Sequence, residues 1–122
     1  VAPHEGIGLN ESDTAPAIGR FLARNPDLSP IALASDGSLV GAVLCGHDGR
    51  RGYLHHLAVD VAHRKRGIAR TLVDHCLSSL QLLGILKCNI FLFRDHARGA
   101  DFWQHNGWSA RDDLRVFQRM AR

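Results

Sequence analysis

The chain has 122 residues, 45% hydrophobic and 22% charged, which suits one compact domain with one core and excludes a disordered polyelectrolyte. The formal charge is +3 and the pI near 9.1, an excess too small to demand a polyanionic partner, although the basic residues gather in His63–Arg70. No apolar run approaches the roughly 20 residues that span a bilayer and no secretory leader opens the chain, so a cytoplasmic protein with no membrane partner is expected.

Val1–Asn10 reads as a loop or arm, and because the chain opens on valine a first strand could precede it. Ser12 or Asp13 is the expected N-cap of a short helix. Its apolar residues Ala17, Ile18, Phe21 and Leu22 recur at helical spacing and stop before Asn25-Pro26. Ile31–Ala34 reads as a strand, Asp36-Gly37 as a hairpin turn, and Leu39–Cys45 as the returning strand. Gly46–Gly52 is a second turn, and Tyr53–Val59 completes an antiparallel meander with Tyr53, His55, Leu57 and Val59 expected on one face. From Gly67 to Leu83 the residues Ile68, Leu72, Cys76 and Leu80 line one side of a strongly amphipathic helix, with Gly84 as its stop. Leu86–Phe93 reads as a strand, Arg98–His105 as a helix ending at Asn106-Gly107, and Val116–Met120 as a last strand after a turn at Asp112-Asp113. No linker divides the chain, so residues 1–122 are expected to form a single α/β domain.

Cys45, Cys76 and Cys88 are odd in number and widely spaced, which fits reduced, mostly buried thiols. Cys45, His47, His55, His56 and His63 match no zinc-ligand spacing, so no metal is expected.

The strand Tyr53–Val59, the loop Asp60–Arg66 and the helix from Gly67 form a β-loop-α unit suited to a diphosphate. Glycine allows close backbone approach. The first helical turn leaves four N–H groups without intrahelical partners. The helix dipole there favours an anion by about 0.3–1 kcal/mol, and each charge-assisted N–H bond adds roughly 1.5–3 kcal/mol. Arg64, Lys65 and Arg66 stand at the positive end of this helix, where they oppose it unless an anion binds.

Leu57-Ala58-Val59 followed by Arg64-x-x-Gly67-x-Ala69 resembles the central motif of the GNAT acetyltransferase superfamily, and Phe102-Trp103-x-x-x-Gly107-Trp108 resembles its downstream aromatic segment. The resemblance covers about Gly41–Met120. It implies a mixed, splayed sheet flanked by helices, with acetyl-CoA as cosubstrate and an amine on a small molecule or peptide as acceptor. It places the pyrophosphate on the amides of Arg66, Gly67, Ile68, Ala69 and Arg70, and the pantetheine along the backbone of Leu57, Ala58 and Val59. It also admits a homodimer. Three positions depart from the family pattern. Lys65 stands where glycine is usual, His96 where an asparagine is usual, and Trp103 where many members carry the tyrosine that protonates the leaving thiolate. An indole N–H is no proton-transfer acid, which leaves Tyr53, the sole tyrosine, as the remaining candidate acid.

An alkylamine of pKa about 10.4 is protonated at pH 7 by roughly 3.4 units, or about 4.6 kcal/mol, so a base is useful. The strand Tyr53–Val59 offers no carboxylate but two histidines, expected on opposite faces. His55 matches the functional histidine that serotonin-type members of the superfamily carry two residues before Leu-Ala-Val, and is the first candidate; His56 is the second. A backbone N–H near Val59 could stabilise the developing oxyanion. The expected function is therefore N-acetyl transfer from acetyl-CoA to a primary amine. Its rivals are a CoA-binding module without turnover and, below it, a small nucleic-acid-binding domain using His63–Arg70, which would need more basic residues on one face.

Overall fold

The structure is a computed structural model and describes residues 10–122, so the arm expected at Val1–Asn10 lies almost wholly outside the described residues. Three antiparallel strands follow from two turns closed by aspartates. β1 (Ile31–Leu33) turns at Asp36, whose Oδ1 accepts from the amide and the hydroxyl of Ser38 at 2.9 and 2.6 Å. β2 (Leu39–His47) turns at Asp48, whose Oδ1 accepts from the amides of Arg50 and Arg51, both at 2.8 Å. β3 is Gly52–Val59, and β4 (Cys88–Ile90) pairs parallel to it, giving a mixed sheet in the order β1-β2-β3-β4. The fold is mixed α and β, as expected.

Helices cover both faces of the sheet. α2 (Ile68–Leu82) lies on one: a Cβ at Gly41 would touch Ile68 and Leu72, and one at Gly52 would touch Leu80. Its inward side buries Leu72, Val73, Cys76 and Leu80, and burying a Val or Leu side chain stabilises by about 1.5–3 kcal/mol. The chain after α2 closes in a Schellman motif. Gly84 adopts φ +80°, and the amides of Gly84 and Ile85 donate to the carbonyls of Gln81 and Leu80 at 3.0 Å each. α1 (Ala15–Arg24) lies on the other face and is capped by Thr14, not by Ser12 or Asp13; the Ala17 amide donates to Thr14 Oγ1 at 3.3 Å. Ser12 and Asp13 belong instead to a 3-10 turn, Glu11–Asp13.

The buried Asn25 ties α1 to the sheet. Its Nδ2 donates to the Phe21 carbonyl at 3.2 Å, and its Oδ1 accepts from the His47 amide at 3.0 Å. Cys45 and Cys76 are buried and Cys88 is half-buried; all three are free. Contact with Cys45 and burial push the Cys76 thiol up, and burial pushes Cys88 up to about 12, so both are poor nucleophiles. Among the described residues no helix is long and apolar enough to cross a membrane.

The chain forms two compact units, the first running to Phe91 and the second from Leu92 to Arg122. The second contains α3 (Ala97–His105) and an irregular C-terminal segment. Two expected strands are corrected. The Leu86–Phe93 strand shortens to β4, which stops where β3 ceases to run straight. Val116–Met120 forms no strand, because no neighbouring strand among the described residues supplies ladder partners; Val116, Phe117 and Met120 are exposed. The turn before it is present, with the Leu114 amide donating to the Arg111 carbonyl at 3.3 Å.

Gly46→Ala tests the α1 contact. A Cβ there would lie 2.7 Å from both Asn25 Nδ2 and Phe21 Cζ. Because Asn25 is held at both ends of its amide, the variant should lose about 1–3 kcal/mol in urea unfolding. An unchanged midpoint would mean that α1 shifts freely on the sheet.

Candidate active site

β3 is not a uniform strand. Its ladder with β2 pairs Ala42 with Ala58 and Leu44 with His55, so two β3 residues, His56 and Leu57, oppose Val43 alone. This is a β-bulge, and His56 sits in it at φ +54°. The left-handed conformation costs a non-glycine residue roughly 1–2 kcal/mol, although histidine is among the residues enriched there.

The bulge has two consequences. It reverses the alternation of faces. Leu54 pairs with Cys45, and Val59 pairs with Gly41, which faces α2. Leu54 and Val59 thus share the α2 face although they are five residues apart. The expectation that His55 shares a face with Val59 is overturned: the His55 ring lies edge-on to Phe21 of α1, at 5.7 Å between centroids. Nor do the two histidines part to opposite sides. His56 Nε2 reaches Asp13 Oδ1 at 2.7 Å, in the turn that leads into α1, and the charges of His56 and Asp13 both act on His55. Second, the bulge ends the β3–β4 ladder. The parallel pairing stops at Leu54 with Ile90, so among the described residues His55–Val59 have no sheet partner on that edge.

His55 stacks on Tyr53 at 6.4 Å between centroids, with the ring planes 9° apart, and Tyr53 tilts toward Phe91 at 6.2 Å. Burial, then the charge of His56, holds the His55 imidazolium below its ordinary pKa, against the opposing pull of Asp13. The ring is therefore neutral near pH 7. Asp13 is the residue that sequence reasoning missed as a site group. Its only signal was the Asn10-x-x-Asp13 spacing of a capping box, which gives no hint of the distant histidine. Burial raises its pKa, but the His56 hydrogen bond and the Asn10 amide outweigh that, and the net shift is downward.

The chain leaves β3 through a 3-10 turn, Val61–His63, where His63 Nδ1 lies 2.9 Å from Asp60 Oδ2 and Arg64 Nε donates to the Val59 carbonyl at 3.3 Å. Lys65 then adopts φ +64° and Gly67 φ +76°. Lys65, where the resemblance expects glycine, thus stands in the left-handed region, at an energetic cost glycine would not bear. Gly67 caps α2 without a side chain, and the first intrahelical bond is the Thr71 amide to the Gly67 carbonyl at 3.0 Å. The amides of Ile68, Ala69 and Arg70 therefore have no intrahelical partner. No acidic residue stands in the first turn, and a Cβ built on Gly67 would meet nothing within 4 Å. The place in front of this helix is open, positive and rich in donors, which fits a diphosphate.

Of the remaining site candidates, His96 and Trp103 belong to the second unit. His96 caps α3, its Nδ1 accepting from the Gly99 amide at 2.8 Å. Trp103 is buried edge-on to Phe102 at 5.1 Å and to Trp108 at 4.9 Å between centroids. Gly107 at φ +91° and the Trp108 amide, which donates to the Trp103 carbonyl at 3.0 Å, close a second Schellman motif. The spacing Phe-Trp-x-x-x-Gly-Trp is the spacing of that helix end.

Comparison with known proteins bears on the same segments. The model of the acetyltransferase (GNAT) family matches residues 5–108. An acetyltransferase of Yersinia enterocolitica is 30% identical over 103 residues, covering 84% of this chain and 72% of the relative. Among solved structures, the PaiA N-acetyltransferase of Thermoplasma acidophilum in complex with coenzyme A superposes with a TM-score of 0.75 at 22% identity, over 84% of this chain and 66% of that one. The aminoglycoside antibiotic 6'-N-acetyltransferase of Acinetobacter haemolyticus gives 0.71 at 16% identity, over 94% and 85%. The two structural likenesses speak for the fold alone. The family match, which spans most of the chain and includes the bulged strand, the open loop and the helix end at Gly107, decides the family: this chain belongs to the GNAT family and is an acetyltransferase.

Proposed function

We propose that the chain works as one acyltransferase domain and moves acetyl from acetyl-CoA to a primary amine on a small molecule or peptide, by direct attack with a histidine of β3 as base. The observation that carries this reading is the uncapped N-terminus of α2 next to the unpaired stretch of β3. The amides of Gly67, Ile68, Ala69 and Arg70 would hold the pyrophosphate, and Arg64, Lys65 and Arg66 would supply charge around it. The β3 edge along Leu57, Ala58 and Val59, beyond the end of the β4 ladder, would take an extended amide-bearing chain alongside it. His96 and Trp103, which the resemblance counts among the cofactor-binding positions, belong to the second unit. Acetyl-CoA when bound supplies an activated thioester. The chain supplies binding, orientation and the removal of a proton from the amine. Tyr53 and the two imidazoles are the titratable side chains of β3, and they form the set from which the base and the acid are drawn.

The decisive experiment is calorimetric titration with acetyl-CoA, followed by thiol release in the presence of an amine panel. Binding with release supports the enzyme. Binding without release from any amine would favour a CoA-binding module, a reading that Trp103 in place of tyrosine supports. No binding would remove the loop assignment.

Gly67→Glu isolates the loop. The added side chain meets no protein atom, so the fold should survive with a loss of roughly 1–2 kcal/mol from the strained backbone. The side chain and its charge would fill the anion's place, and CoA binding should vanish. Affinity within about twofold of wild type, less than half a kcal/mol, would sink the assignment.

His55 makes a separate prediction about stability. Its folded pKa lies below the unfolded value. Below pH ~6.5 the unfolded chain therefore binds a proton there that the folded chain resists. The stability contribution is complete above that pH and is lost as the pH falls through the folded value. His55→Gln should lose less stability than wild type between pH values of about 7.5 and 5 in urea unfolding. Equal losses would show that His55 titrates alike in both states.

A further inference from the structure

The 3-10 turn Glu11–Asp13 is too short to anchor itself, yet its carboxylate is fixed twice over. Asp13 Oδ2 accepts from the Asn10 amide at 2.9 Å, and Asn10 Oδ1 accepts in return from the Ser12 amide at 2.8 Å. That reciprocal cap leaves Asp13 Oδ1 aimed across 43 residues of chain at His56 Nε2, 2.7 Å away. The Asp13 side chain is 11% exposed and the His56 side chain 28%. An ionised carboxylate only accepts hydrogen bonds, so Nε2 of His56 carries the proton and Nδ1 keeps its lone pair when the ring is neutral. No hydrogen bond occupies Nδ1 among the described residues. His55, by contrast, is flanked by Phe21 and stacked on Tyr53. The bulge that turns His56 toward Asp13 also stands at the start of the unpaired edge of β3.

We propose that Asp13 is a positioning residue which fixes His56 as the Nε2–H tautomer, and that Nδ1 of His56, rather than the His55 ring, takes the proton of the acceptor amine. The inference rests on the acetyltransferase reading above and assigns the base within it. In the step, one N–H bond of the ammonium breaks and its electron pair stays on nitrogen as the nucleophilic pair. A bond forms between that proton and Nδ1, and the resulting imidazolium faces the Asp13 carboxylate. No further reactant is needed. The titratable groups facing His56 are Asp13 from the 3-10 turn and His55 from its own strand.

The tautomer is read first, without substrate, by long-range proton–nitrogen NMR of the neutral histidines. His56 should be the Nε2–H form in wild type and lose that bias in Asp13→Asn. An Nδ1–H form in wild type overturns the proposal whether or not the protein turns over. Thiol release against pH then separates positioning from mere anchoring. Asp13→Asn should lower kcat on the order of 10²-fold and leave the affinity for acetyl-CoA unchanged. Asp13→Glu should restore part of the rate. His56→Asn, chosen because asparagine tolerates the left-handed backbone, should abolish the acid limb. A wild-type acid limb in His56→Asn, or one that disappears in His55→Gln instead, would overturn the assignment. Wild type that binds acetyl-CoA but never releases thiol would sink the acetyltransferase reading itself, and the proton role with it.

Discussion

The left-handed backbone of His56 governs the geometry around it. One extra residue in β3 ends the pairing with β4, exposes the edge of His55–Val59, and exchanges the faces of the strand beyond that point. It also brings two neighbouring imidazoles to the same side of the sheet, which a straight strand forbids. The local cost is roughly 1–2 kcal/mol of backbone strain. The hydrogen bond to Asp13 and the packing of Leu54 and Val59 against α2 hold the kink in place from both faces.

α2 is finished very differently at its two ends. At its C-terminus, Gly84 and Ile85 satisfy the carbonyls of Gln81 and Leu80, and Ile85 is buried. At its N-terminus there is no side-chain cap and no acid, and three consecutive basic residues stand just ahead of Gly67. A helix built for stability alone would carry a side chain that accepts from its first amides, as α1 does with Thr14 and α3 with His96. The exception falls on the helix that follows the bulged strand, so two departures from local rules lie on one continuous stretch of chain. Their coincidence is what a site, rather than a folding defect, would produce.

Much of this was legible in the sequence. The meander could be read from Asp36-Gly37 and the Asp48 turn, α2 from its four-residue apolar spacing, and the phosphate loop from glycine within a basic run. The bulge was not legible. Tyr53–Val59 alternates well enough to pass for a straight strand, and a left-handed histidine leaves no compositional mark as a glycine would. Every misplacement in the site follows from that one residue: the face of Val59, the parting of His55 and His56, and the length of β4. Asp13 was hidden for a different reason. A capping box explains its presence locally, and nothing local announces a partner 43 residues away. Val116–Met120 shows the reverse error, in which apolar periodicity suggested a strand for which no neighbour exists among the described residues.

The end of α3 has a consequence for how such chains are recognised. Phe102, Trp103, Gly107 and Trp108 stand at fixed distances because a helix is being closed: Gly107 supplies the left-handed turn, and Trp108 folds back onto Trp103. Those distances are set by the geometry of termination and would be the same in a chain that had lost turnover. A signature of this kind therefore reports ancestry of the scaffold. The histidines of β3 and the Asp13 carboxylate that reaches them lie outside that segment, so its spacing carries no information about which group handles a proton.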